Sequence, residues 1–508
     1  VTPNDPAAPD ATDRDSVTAS IKAAYEAVRY RSRPCPTSAP THVATIARLM
    51  GLDAPDPSTA RVLEVGCGDG GNLVPMAAAA PQGRYVGIDL SPGAIAEARA
   101  MASDLALSNV ELDAADLRDL PSGLGTFDYI VAHGFYSWVP ADVREVLLGT
   151  LRRCLSPDGI AFVSHNTMPG CALRGIAWSL LRPHVAGIGD PARRVAETRS
   201  MAALMADAMA DQPGLAAALA GEFRDVANRH EFLVLHDDIA IVNHPVLLRE
   251  IAAEAEAHGL AWLADADAYR HPAPAYGEKM NAWLAATDRL TREHVIDHLR
   301  LRRYRESLFV HRARGLGTPL ASERLSNLHV GASNATAERH GSAPRSQADG
   351  DRTPAGVQRM LLGRLAAVHP ASVPVQEVVS WITSHSPAGS TLAAPANALR
   401  LLLNLCLMGA IVPFAWPVRV ALEAGAMPRA SAVARWQAPR RDFVVNLRHD
   451  SVVFDDPVRR RLLPLVDGTR TRDALALELA AMAPDAADPR RLVDEHLAHF
   501  ARIGVLEV

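Results

Sequence analysis

The sequence predicts a doubly wound α/β sheet of seven strands, Rossmann-like, with a helical insertion and with smaller α+β modules behind it. Three observations carry this expectation. Five apolar runs, "RVLEVG", "RYVGID", "VELDAAD", "FDYIVAH" and "GIAFVSH", follow one another from Arg61 with helical segments between them. Runs without polar alternation are what parallel strands buried on both faces require. A glycine-rich turn, "LEVGCGDGGN", follows the first run directly, where a strand must bend into a helix. Further on, "LAWLADA" and "ESLFVHR" read as an antiparallel pair that closes the sheet near residue 312.

Taken in order, residues 1–24 begin "VTPNDPAAPDATDRDSVT", rich in Pro, Asp and Ala, and are expected to form a disordered leader. Residues 25–60 form a helical cap, since "SIKAAYEAVRY" and "THVATIARLMGL" have helical apolar spacing around a break at Pro34, Pro36 and Pro40. Residues 61–165 hold the five runs of the core. Residues 166–243 read as mainly helical, too long for a simple crossover, and are expected to cap the C-terminal edge of the sheet, where ligands bind in such folds. Residues 244–312 finish the sheet domain, with the helix "HPVLLREIAAEAEAHG" stopping at Gly259 as its C′ residue. Residues 313–355 are polar and aperiodic and read as a linker. Residues 356–425 and 426–508 share a cadence, helices and then a helix running into glycine and a short apolar strand. The endings are "NLCLMGAIVPF" at Gly409 and "HFARIGVLEV" at Gly504, and both modules read as winged-helix-like.

The 508 residues carry a formal net charge of −5, which leaves no global electrostatic footprint for nucleic acid or an anionic membrane. With no long uninterrupted apolar stretch, a cytoplasmic protein without a membrane partner is expected. Cys35, Cys67, Cys154, Cys171 and Cys406 form neither a CxxC pair nor a zinc-type cluster, so a reducing compartment and no structural metal are expected. The arginine-bearing runs "RLTREHVIDHLRLRRYRE" and "DPARRVAETR" read as solvated helical faces. "PANALRLLLNLCLM" offers one arginine where a DNA-recognition helix wants several, so the modules are expected to hold a polypeptide or to build a homodimer.

The chemistry concentrates at the glycine turn and at three acids. Gly66, Gly68 and Gly70 permit positive φ and close approach of backbone to a ligand, and the string also satisfies GxGxxG through Gly71. Asp89 ends the second strand, where a carboxylate accepts both hydroxyls of a ribose. Glu64, two residues before the first glycine, suits a cationic group of the ligand, and Asp116, after the third strand, suits an adenine amine. The fourth strand then runs into "HGFYSWVP". Phe135, Tyr136 and Trp138 there read either as rings facing a positively charged reactive group or as core anchors for the next helix, with Tyr136 as the substrate-facing ring. His133, His165 and Asn166 are candidates for orienting an acceptor, joined by His230 and Glu231 from the insertion. His165 reads as a general base or as a hydrogen bonder in the pocket wall.

These elements in this order resemble the class I S-adenosylmethionine-dependent methyltransferases. "RVLEVGCGDGGNLVPMA", "HGFYSWVP", "NTMPG", "RHEFL" and, near the end, "VNLRHDSVVFDD" look like bacterial protein lysine methyltransferases of the rickettsial type and methyltransferases with a regulatory domain. The resemblance runs from about Tyr25 to the C-terminus. It implies S-adenosylmethionine as cofactor, bound by Glu64, Gly66, Gly68, Gly70, Asn72, Asp89, Leu90, Asp116, Leu117 and His133. It implies methyl transfer to a protein or peptide, with lysine nitrogen favoured, and catalytic roles for Tyr136, Trp138, His165, Asn166 and His133. Two departures stand out: His165 where the family has tyrosine, and Cys171 where it has an aromatic. Methylation of a peptide-derived or other small natural product, and cofactor binding without transfer, are the alternative readings.

Overall fold

The computed structural model describes residues 11–121, 123–267, 276–316, 320–340, 352–387, 389–482 and 488–508. Its centre is a sheet of β1 Arg61–Val65, β2 Arg84–Asp89, β3 Val110–Ala114, β4 Phe127–Ala132, β5 Leu155–Asn166, β6 Leu260–Asp265 and β7 Tyr304–His311. The order is β3-β2-β1-β4-β5-β7-β6, with β7 antiparallel to both neighbours. Every expected run is a strand, and the last two form the expected closing pair. The order switches direction between β1 and β4, which opens a crevice at the C-terminal ends of the strands.

Strand parity decides which face each side chain meets. Val62, Val131, Phe162, Leu308 and Val310 share one core with helix Pro40–Leu49. Leu63, Val65, Ile130, Ala161, Val163 and Phe309 share the other with helices Ala141–Cys154 and Leu248–Ala257. Each fully buried large apolar side chain contributes about 1.5–3 kcal/mol, so the two cores dominate the stability of the domain. Alternation then places Glu64, Ser164 and Glu306 on the first face and His165, Arg305 and Ser307 on the second.

Arg305 is fully buried between Asp265 at 2.8 Å, Asp297 at 2.8 Å and Glu293 at 3.1 Å, tying β7 to β6 and to helix Arg289–Arg300. Arg302 also pairs with Asp265 at 3.0 Å and Asp297 at 3.2 Å, so truncating Arg305 leaves those two acids one counter-charge instead of two, a loss of about 3 kcal/mol. Urea unfolding of Arg305→Ala is expected to show that loss. A change below about 1 kcal/mol, the scale of an exposed pair, would mean the acids are solvated in the folded state.

Two segments depart from expectation. Residues 11–24 belong to helix Ala11–Ala27, not to a disordered leader; residues 1–10 lie outside the described residues. The helix is tied down by its partners, as Arg118 Nη2 donates to Thr18 Oγ1 and Tyr25 stacks on His236 at 4.4 Å. Within the expected linker, residues 320–340 are structured: β8 His329–Ala332 pairs antiparallel with both β9 Val373–Pro374 and β10 Ile411–Phe414. Leu325, Leu328 and Val330 are buried in the same core as the first sheet face. A four-residue strand between polar flanks is too short to show a period, which is why the composition reads as linker. The linker reading of 341–351 falls outside the described residues.

The first C-terminal module is therefore fused to the sheet domain. The second builds its own core from Val444, Leu475, Leu497 and Phe500 beneath a hairpin of β11 Phe443–Val445 and β12 Ser451–Val453. Gly259, Gly409 and Gly504 all take positive φ at helix ends, as expected. Among the described residues no helix is long and apolar enough to cross a membrane.

Candidate active site

A cavity of about 1540 Å³ opens at the C-terminal ends of β1, β2, β4 and β5. Its walls come from the glycine turn, the segment around Tyr30–Thr37, "HGFYSW", the helical insertion, the start of β7 and the second C-terminal module.

Gly66 and Gly68 line the cavity with φ of 75° and 55°. A Cβ on Gly66 would stand 2.8 Å from the Phe135 ring, so the strand end and the aromatic lip close on each other only because residue 66 is glycine. Asp89 receives the Gly68 N–H on Oδ2 at 2.8 Å and the Ser91 N–H on Oδ1 at 2.9 Å. Each of its oxygens keeps a further acceptor site. Asp89 and Leu90 line the cavity beside the turn.

Glu64 is 3% exposed on β1 and faces the same space. Its Oε1 accepts from Asn72 Nδ2 at 2.7 Å, while its Oε2 is buried without a hydrogen-bond partner. Burial pushes its pKa up to about 7, against the lowering pull of Asn72. Asn72 is locked in turn, its Oδ1 accepting from the Cys35 N–H at 2.8 Å and bonded to His449 Nε2 at 2.9 Å.

On the same sheet face, a polar row continues across the neighbouring strands. His133 Nδ1 lies 3.3 Å from Ser164 Oγ and 3.4 Å from the Tyr304 hydroxyl. Glu306, which pairs with Ser164 across β5–β7, accepts from Cys35 Sγ at 3.7 Å. Burial pushes Glu306 up to about 8, and burial lowers His133 below its ordinary value. Tyr304 and Glu306 escape sequence reasoning, although "YRES" at the head of an otherwise apolar strand is a signal that a polar face begins there.

The cavity gathers Glu64, Gly66, Gly68, Asn72, Asp89, Leu90, His133, Trp138 and Asn166 from the expected residues, with His230 and Glu231 exposed at its mouth. It does not gather Tyr136, His165, Gly70, Asp116 or Leu117. Tyr136 is fully buried in the second core and its hydroxyl donates to Glu254 Oε2, because the turn Tyr136–Trp138 rolls this ring under the sheet and leaves Phe135 and Trp138 facing the cavity. His165 is fully buried on the opposite sheet face, with Nε2 3.2 Å from Ser307 Oγ. Burial, then Arg305, lowers its pKa to about 3, so it is neutral and sealed from any acceptor. Its neighbours Ser164 and Asn166 have the parity that faces the site.

Gly70 packs against Val74 and Ala98 and serves the strand-to-helix turn. Asp116 is paired with Arg118 at 2.7 Å, where helix Ala11–Ala27 crosses, and Leu117 belongs to the second core.

The arrangement fits a nucleoside ligand with a cationic end. The unpartnered Glu64 oxygen suits the positive group, Asp89 suits the ribose hydroxyls, and the glycines leave room for both.

Comparison with known proteins agrees. Residues 62–159 match a methyltransferase domain, 230–311 a predicted methyltransferase regulatory domain, and 426–487 the family described as PKMT, C-terminal winged helix domain. The uncharacterized protein RP028 of Rickettsia prowazekii (strain Madrid E) is 30% identical over 236 residues, 46% of this chain and 94% of that protein. RP789 from the same organism is 32% identical over 289 residues, 56% of this chain, and the match spans about half of its length, 52%. The solved structure of PKMT2 from Rickettsia typhi in complex with AdoHcy has the same fold, with a TM-score of 0.82 and 22% identity over 94% of this chain and 99% of that one. The chain belongs to the class I S-adenosylmethionine-dependent methyltransferases.

Proposed function

We propose that this chain transfers a methyl group from S-adenosylmethionine to a lysine side-chain nitrogen in a protein or peptide. The observation that carries the reading is a pair of carboxylates, buried Glu64 and half-buried Glu306, on either side of His133 along the cavity wall. Neither has an arginine partner among the described residues. Two acids kept short of counter-charge are a receptor for cations, one for the cofactor and one for the incoming ammonium. The volume exceeds the roughly 300–1,000 Å³ typical of small-ligand pockets, which leaves space for a polypeptide segment beside the cofactor. The match to the PKMT C-terminal winged helix family and the fold shared with PKMT2 of Rickettsia typhi favour the same substrate class.

When bound, the cofactor supplies a methyl carbon already activated by a sulfonium. The chain's task is to position and to deprotonate. Asp89 would hold the ribose, and Glu64 the cationic side of the cofactor. Phe135 and Trp138 present aromatic faces that favour positive charge and exclude water. An amine attacks only when neutral, so Glu306, beside His133, would hold the ammonium and take its proton. The mouth of the cavity mixes acids with arginines, and most of these arginines are already paired, as Arg303 and Arg174 are with Glu222 and Arg229 is with Asp238.

The test is incubation with methyl-labelled S-adenosylmethionine and a host lysate split into polypeptide and small-molecule fractions. Label in lysine of a polypeptide supports the reading. Label confined to small molecules replaces it with natural-product methylation, and binding without any labelled product makes the chain a cofactor-binding protein. Self-labelling is easy to separate, because the chain's only lysines are Lys22 and Lys279.

A further inference from the structure

We propose that the second C-terminal module is a working part of the cofactor site, with Arg441 and His449 as positioning residues that set the glycine turn and Glu64. The proposal rests on the cofactor reading above and adds what holds that site in shape.

Three separate stretches of backbone meet at Asp69. Arg441, 9% exposed and just before β11, pairs through Nη2 with Asp69 Oδ2 at 2.9 Å, and Asp69 is 5% exposed. The other guanidinium nitrogen, Nη1, donates to the Ser32 carbonyl at 3.1 Å. Asp69 Oδ1 accepts from the N–H groups of Ser32 at 3.1 Å and Gly71 at 3.2 Å. One ion pair thus fastens the N-terminal segment onto the glycine turn from above. The packing is so close that a Cβ on Gly71 would collide with the Ser32 carbonyl, so Gly71 is glycine for this contact.

The second arm starts at His449, in the β11–β12 turn, with φ of 63°. Its half-buried ring has its pKa lowered to about 4 by desolvation and is neutral at pH 7. Asn72 Oδ1 is an acceptor, as the Cys35 N–H already pointing at it requires, so His449 carries its proton on Nε2 and donates. That bond is a second donor to the same oxygen and, with the Cys35 N–H, holds the Asn72 amide so that Nδ2 stays directed at Glu64 Oε1 and Ser38 Oγ. Glu64 is left with one oxygen held and one unpartnered toward the cavity. A residue 377 positions beyond Asn72 therefore helps to hold the carboxylate that meets the cofactor.

Without the module, Asp69 would be a buried charge without its counter-ion, and the turn would rearrange to solvate it. The Gly68 N–H that orients Asp89 sits in that turn, so both cofactor-facing acids lose their preset positions together.

The test uses the full chain and S-adenosylhomocysteine, following affinity by calorimetry and release by stopped flow, with melts of each unliganded variant. Arg441→Ala is expected to weaken binding at least about tenfold, chiefly through faster release, as loss of one partner of a buried pair does. Arg441→Lys recovers part of that loss. Asp69→Asn combined with Arg441→Ala is no weaker than the worse single variant, because both remove one interaction. His449→Ala weakens binding by roughly threefold or more through Asn72. Binding within about twofold of wild type in folded Arg441→Ala and His449→Ala overturns the proposal. Should Arg441→Ala fail to fold, His449→Ala decides by the same criterion. A wild-type chain that takes up no S-adenosylhomocysteine overturns the cofactor reading, and the clamp with it.

Discussion

Asp89→Ala is expected to lower affinity for S-adenosylhomocysteine by roughly a hundredfold, about 3 kcal/mol, the scale of two hydrogen bonds to a charged acceptor. Asp89 ends β2 with both oxygens aimed by backbone donors, Gly68 N–H and Ser91 N–H, so its free acceptor positions are fixed before any ligand arrives. Preset acceptors lose little on binding, which is why this one side chain outweighs the apolar contacts around it. Asp89→Asn separates orientation from charge: an amide matches one backbone N–H and opposes the other, so it is expected to bind weakly despite its similar shape. Burial raises the Asp89 pKa above its ordinary value, with Ser91 and Gly68 pulling the other way. Acidification therefore protonates it, and weakens binding, at a higher pH than for an exposed carboxylate. Unchanged affinity in Asp89→Ala, by calorimetry on a chain with a native melt, would remove Asp89 from the site.

The parts of this molecule that were legible are those set by local rules. Apolar runs named all seven strands of the central sheet, glycines marked helix ends at 259, 409 and 504, and the glycine turn with Asp89 and Glu64 marked the cavity floor. What local rules do not encode is facing. β5 is buried on both sides, so "AFVSHN" shows no alternation, and nothing in it says that Asn166 lines the cavity while His165 faces away. Tyr136 is a similar case, since a three-residue turn decides which of three adjacent rings points in. Glu306, Arg441 and His449 reach the site across long sequence separations, and no single-sequence pattern links them to the glycine turn. β8 was missed because four residues between polar flanks carry too little period to count.

Glu306→Gln is expected to reduce kcat by about a hundredfold or more, the usual contribution of a positioned proton acceptor, while leaving affinity for S-adenosylhomocysteine nearly unchanged. The glutamine keeps the shape and the contact with Cys35 but cannot take a proton from an ammonium. Burial, with Cys35 and Asp265 adding to it and Thr37 and His133 opposing, pushes the Glu306 pKa up to about 8. The working form is ionised, so kcat/KM in the wild type should rise with pH through about 8, and the variant should lose that limb. Stability offers a second, independent reading. The folded-state pKa lies above the unfolded one, so the wild type loses stability as pH rises from the ordinary glutamate range, about 4.3, toward 8. Glu306→Gln has no such loss and should gain on the wild type across that window. A variant that shows the stability gain but keeps both its turnover and its rising pH limb would leave Glu306 a half-buried acid of the cavity wall. The proton would then have to leave by another group, with His133 the nearest candidate in the same polar row.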